Sequence, residues 1–132
     1  MVSTPKREGS KLGLVSDTDG LPGMKTKRIE DSGLHEFFDA IVVGGEDTVE
    51  VKPHTEPFAL ISKMLKVTPR NCVSVGDNPE TDVDGGLKLG MQVVIIRNKN
   101  ASRENKPTRY HLVERSKLTS FVINLIEKKR RR

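Results

Sequence analysis

Four side chains have types and spacing that suit phosphate chemistry: Ser16, Lys52, Asp77 and Asp82. A serine hydroxyl can donate to a phosphoryl oxygen, and a lysine ammonium can neutralise the charge that gathers there. Asp77 and Asp82 offer hard oxygen ligands suited to Mg²⁺, which takes one or two carboxylates and completes its shell with water and phosphate. Each residue also has a plainer use. A serine after a strand caps a turn, Lys52-Pro53 reads as surface loop, and acids at a helix start complement its dipole. What favours a site is order and placement, because each of the three groups follows its own apolar strand.

The elements that must position them are readable. Short apolar runs at residues 12–15, 40–43, 72–75 and 92–96 predict strands. Amphipathic stretches at 22–32, 55–66, 79–89 and 117–129 predict helices, the first with Pro22 near its first turn. Residues 16–20 read as a polar turn, 98–108 as a polar loop and 110–113 as a short edge strand. Strands alternating with helices imply an α/β fold, a doubly wound, Rossmann-like parallel sheet of about four or five strands. In such sheets functional groups lie at the carboxyl ends of the strands, where these residues fall. The α/β domain is expected over 11–127, with residues 1–10 flexible and 128–132 a basic tail.

Composition narrows the classes. The net charge of +5 equals the five basic residues 128–132, so the rest is neutral. That pattern is a solvated tail and argues against nucleic acid as a partner. No apolar stretch approaches the roughly 20 residues of a membrane span, and residues 1–10 have no apolar core of a signal peptide. The single cysteine, Cys72, allows no internal disulfide and fits a reducing compartment, hence a cytoplasmic location. His35, His54 and His111 lack metal-ligand spacing.

Taken together, Ser16 after the first strand, Phe38-Asp39-Ala40-Ile41-Val42 running into Lys52-Pro53, and Val75-Gly76-Asp77-Asn78-Pro79-Glu80-Thr81-Asp82 resemble the second, third and fourth signature motifs of the haloacid dehalogenase superfamily. Gly90-Met91-Gln92-Val93-Val94 is similar to the segment that follows the fourth motif, so the resemblance spans residues 11–97. It implies a Mg²⁺-dependent phosphohydrolase of small phosphorylated molecules. In that family's terms Ser16 bonds the transferring phosphoryl group and Lys52 pairs with its oxygens and with the nucleophile. Asp77 binds Mg²⁺, with Asp82 a ligand or a support behind it.

The family's nucleophile is an aspartate in a first motif, Asp-x-Asp, whose second aspartate is the general acid and base. Asp17-Thr18-Asp19-Gly20 offers that pattern, with Asp17 as alternative nucleophile and Asp19 as alternative acid/base. Against this, the next strand already runs into Lys52-Pro53, leaving no strand for a second motif, and Leu21 stands where the first motif has Thr or Val. The expectation is therefore a core lacking its central first strand, its nucleophile and its cap, as in a truncated hydrolase. Two readings stay beside it: a non-catalytic binding or assembly module, and a capless phosphatase using Asp17.

The resemblance places the family's first strand at the centre of the sheet, between the strands that here are residues 12–15 and 72–75. Residues 1–10 hold Val2 as their only large apolar residue besides Met1 and cannot replace it. The two flanking strands are expected to pair directly, or to receive a strand from another chain, as in a homo-oligomer that completes the sheet. An open gap is the least favourable outcome, because unpaired central backbone groups are costly.

Overall fold

The computed structural model describes residues 10–97 and 109–130. Residues 1–9 of the start expected to be flexible over 1–10, and the polar loop 98–108, lie outside them.

Five strands form, in two parallel sheets rather than one. Strand β1 (Gly13–Asp17) pairs with β2 (Ala40–Gly44), with Val15 opposite Val42. Strand β3 (Val73–Gly76) pairs with β4 (Gln92–Ile96), and β4 with β5 (His111–Val113). No backbone pairing joins β1 to β3 among the described residues. This corrects the expectation of direct pairing. Among the described residues, the packing of α2 on α4 and the Lys52–Asp82 ion pair join the halves.

Helix α1 (Met24–Asp31) starts later than its sequence suggests. Gly23 takes φ 79°, a left-handed conformation that excludes Pro22 from the first turn. Helix α2 (Thr55–Leu65) is capped by His54, whose Nδ1 accepts the Glu56 N–H at 3.0 Å. It lays Phe58 and Ile61 inward and stops at Lys66, a left-handed residue at φ 59°. The single helix expected over 79–89 is two short ones, α3 (Pro79–Asp82) and α4 (Asp84–Lys88). Helix α5 (Leu118–Arg130) follows a 3-10 turn at Arg115–Lys117 and carries the start of the basic tail.

The core is divided like the sheets. Along β4, Val94 and Ile96 pack with Val113, Leu118 and Val122 on the α5 face, while Val93 and Ile95 pack with Val83 and Leu87 on the opposite face. This is the alternation that a strand covered on both sides requires. In the other half, Ala40 and Val42 meet Ile61 of α2, flanked by Val15, Leu60 and Leu65. The halves join where α2 lies on α4. A side chain at Gly85 would collide with the Phe58 ring and the His54 carbonyl, so glycine allows the close approach.

Candidate functional site

The site lies where β1 and β3 end. Strand β3 finishes at Gly76 and turns at once into α3. Asn78 caps that helix through its side-chain oxygen, which accepts the Glu80 N–H at 3.0 Å. The turn folds the Asp82 carboxylate back beneath the strand end. Its Oδ2 accepts the backbone N–H groups of Asp77 and Asn78, each at 3.1 Å. Gly76 leaves the room, since a Cβ there would overlap the Asp82 side chain.

The other oxygen, Oδ1, accepts the Lys52 ammonium at 2.8 Å and the Thr81 hydroxyl at 3.2 Å. A carboxylate has about four acceptor positions. Four donors occupy those of Asp82, so this arrangement leaves none for a direct bond to a metal. Burial works to raise the Asp82 pKa. The Lys52 hydrogen bond, the Asn78 N–H, the Lys52 charge and the Asp77 N–H outweigh it and hold the pKa below the usual carboxylate value. The pair is largely enclosed, with side chains 19% and 10% exposed, so solvent screens it less than an exposed pair.

Lys52 is held at both ends. Its backbone N–H donates to Asp17 Oδ1 at 3.2 Å, its peptide to Pro53 is cis, and its ammonium reaches Asp82. The chain Asp17–Lys52–Asp82 thus links the end of β1 to the end of β3. This 30-residue separation between Lys52 and Asp82 had no trace in local sequence pattern.

Ser16 and Asp17, expected in a turn, are the last residues of β1. Ser16 is half-buried, and its hydroxyl makes no hydrogen bond among the described residues. Asp77 is exposed. Asp19 points elsewhere: Lys25 at 3.1 Å and Arg28 at 2.9 Å take its two oxygens. Partial burial works to raise its pKa, and the hydrogen bonds and charges of those two cations lower it overall.

Glu46 was missed by sequence reasoning. It accepts the Thr18 hydroxyl at 2.6 Å and the Gly23 N–H at 2.8 Å, tying the loop after β1 to the loop after β2. Those bonds lower its pKa. An acid in a glycine-rich loop carries no periodic signal that could have revealed this. Among the described residues, no three His, Cys, Asp or Glu side chains converge as a metal cage. No helix among them is long and apolar enough to cross a membrane.

Residues 1–96 match the family described as haloacid dehalogenase-like hydrolase. The chain is a member of this family. It is 41% identical over 83 residues to the N-acylneuraminate-9-phosphatase of Homo sapiens, covering 63% of this chain and 33% of that protein. It is 31% identical over 122 residues to the glyceraldehyde 3-phosphate phosphatase of Methanocaldococcus jannaschii, covering 91% of this chain and 52% of that one. A solved phosphatase of the same family from Thermococcus onnurineus superposes with a TM-score of 0.70 at 28% identity, over 86% of this chain and 51% of the other. The chain therefore spans between a third and about half of these relatives.

Proposed function

We propose that this chain carries the phosphate-binding part of a phosphohydrolase site, with Lys52 as its central cation and Ser16 and Asp77 beside it. The observation that carries this reading is the bracing of Lys52 between Asp17 and Asp82 at the carboxyl ends of the strands. A fixed ammonium there can meet phosphoryl oxygens without reorganising, which is what electrostatic stabilisation of a transferring phosphoryl group needs. Ser16 adds a hydroxyl donor. The phosphatase names of the relatives support a small phosphate ester as the ligand.

Mg²⁺ fits Asp77, which offers an exposed carboxylate, with water and the ligand's own oxygens completing the shell. Bound there, the ion would neutralise phosphoryl charge. Asp82 acts from behind, orienting Lys52 and the Asp77 backbone.

Turnover by this chain alone is not expected. Asp17 Oδ1 is spent on the Lys52 N–H, and Asp19 is held by Lys25 and Arg28. A carboxylate so engaged is poorly placed to attack phosphorus. The opposing reading is a capless phosphatase using Asp17. An assay with p-nitrophenyl phosphate and Mg²⁺ separates the two. Our reading expects no turnover above buffer for wild type or for Asp17→Asn. Turnover in wild type that vanishes in Asp17→Asn would establish Asp17 as nucleophile.

A further inference from the structure

Residues 19–24, which lead from β1 into α1, are all exposed. The stretch turns through Gly20 and Gly23, both left-handed, at φ 94° and 79°. A segment of this kind adopts many conformations unless polar bonds select one. Asp19 ties it forward to α1 through Lys25 and Arg28. Glu46, on the loop after β2, ties it to the rest of the site. Its Oε2 accepts the Thr18 hydroxyl at 2.6 Å, and its Oε1 accepts the Gly23 N–H at 2.8 Å. The Thr18 oxygen in turn accepts the Gly20 N–H at 3.1 Å. Gly23 precedes α1 without a side chain to cap it, and the first turn of α1 holds no acid. Glu46 therefore does from another segment what a glutamate inside the first turn does in a capping box.

Glu46 is itself anchored in the core. Its N–H and that of Asp47 donate to the Val43 carbonyl at 3.1 and 2.8 Å, and Asp47 Oδ2 accepts the Val43 N–H at 2.7 Å. Val43 is buried. Between Val43 and Glu46 lies the turn Gly44-Gly45. A Cβ at Gly44 would stand 2.6 Å from Asp17 Oδ1, the atom that accepts the Lys52 N–H, and 3.5 Å from the Val51 Cα. One at Gly45 would stand 2.9 Å from the Thr18 methyl and 3.2 Å from a Val51 methyl. The end of β1 and the residue before Lys52 thus both close on this turn.

We propose that Glu46 is a positioning residue of the phosphate site. By tying Thr18 and Gly23 to the turn after β2, it keeps the end of β1 closed on the segment that carries Lys52. Ser16 and the Asp17 carboxylate that holds the Lys52 N–H are thereby kept in place. The proposal rests on the reading of Lys52 as the phosphate cation. The bonds of Glu46, not its charge, do the positioning. Glutamine can make both: its carbonyl oxygen accepts the Gly23 N–H while its amide donates to the Thr18 oxygen. Alanine makes neither. Charge alone predicts the opposite sign, because removing an anion near the site would strengthen phosphate binding.

Two measurements on the full chain test this: ³¹P NMR titration with inorganic phosphate and Mg²⁺, and amide hydrogen exchange, residue by residue, without phosphate. In Glu46→Ala the Gly23 and Lys52 N–H groups are expected to exchange at least about fivefold faster with Val94 unchanged, and phosphate to bind about tenfold more weakly. Glu46→Gln should stay within about twofold of wild type in both. Lys27→Ala, which breaks an exposed pair on α1, should change neither. Should Glu46→Ala fail to fold, Thr18→Val removes the hydroxyl at nearly constant shape, and the same directions are expected of it. Unchanged or tighter phosphate binding in Glu46→Ala overturns the proposal. So does a glutamine variant as impaired as the alanine one, or weaker binding with unchanged Lys52 exchange. Faster exchange at Val94 as well would mark a general loosening and overturns it too. Wild type that binds no phosphate would instead overturn the reading of Lys52, and Lys52 exchange in Glu46→Ala then decides alone whether Glu46 holds the brace.

Discussion

The β3–β5 half and the β1–β2 half are made of the same materials but finished differently. In the first, β4 is sealed from both sides, Val94 and Ile96 by α5 and Val93 and Ile95 by α4. In the second, α2 covers the face carrying Ala40 and Val42, while Leu14 and Ile41 on the other face stay half-buried. Five of the eight largest fully buried side chains, Ile95, Leu118, Val93, Val94 and Val122, belong to the three-stranded half, so stability should reside mostly there. The site depends on both. The half with the fuller core fixes Asp82, the thinner half supplies Ser16 and Lys52, and the ion pair registers one against the other.

Substitutions can break this comparison. The largest effect is expected at Leu118, 1% exposed in the α5 cluster. Leu118→Ala should cost about 3 kcal/mol in urea unfolding, from lost transfer energy plus a cavity. Next, Asp82→Ala removes the acceptor of four donors and should cost about 2 kcal/mol. Identical chemistry in the two halves gives the sharpest contrast: Val94→Ala should cost about 2 kcal/mol and Val15→Ala under about 1. Equal costs would remove the asymmetry. Smallest is Arg28→Ala, which loosens an exposed ion pair and should fall within about 0.5 kcal/mol.

Acid should report on the junction. The folded-state pKa of Asp82 lies below its unfolded value. Its contribution is therefore present above the unfolded carboxylate pKa of about 4 and is lost as pH falls through the folded value. Stability of the wild type should drop with pH in that range, and Asp82→Asn, though less stable at neutral pH, should drop less. Parallel curves would place the acid sensitivity elsewhere.

Much of the scaffold was legible because it is local. The run Gln92–Ile96 is a strand over the residues its apolar character marks, and α2 begins at Thr55, where the amphipathic stretch begins. Ser16 and Asp17 were assigned to a turn because polar residues end an apolar run, yet parallel pairing with Val43 and Gly44 carries the strand through them. The break at Val83 was hidden because apolar periodicity does not record that Asp82, the last residue of α3, turns its carboxylate back onto the N–H groups of Asp77 and Asn78. Residue types pointed to Lys52 and Asp82 separately. Their pairing, and with it the filling of every acceptor position on Asp82, needed two distant segments in contact. The open edge between β1 and β3 was weighed as the least favourable closure on backbone cost alone. α2 on α4 and the Lys52–Asp82 pair hold the halves without it.

The central claim is that Lys52, braced between the halves, is the cation of a phosphate site. Titration of the full chain with inorganic phosphate and Mg²⁺, followed by ³¹P NMR, tests it most directly beside Lys52→Met, with circular dichroism to confirm that the variant is folded. We predict saturable binding by the wild type and weakening of about tenfold or more in Lys52→Met, the worth of one charge-assisted hydrogen bond. Equal affinity in a folded Lys52→Met would contradict the account.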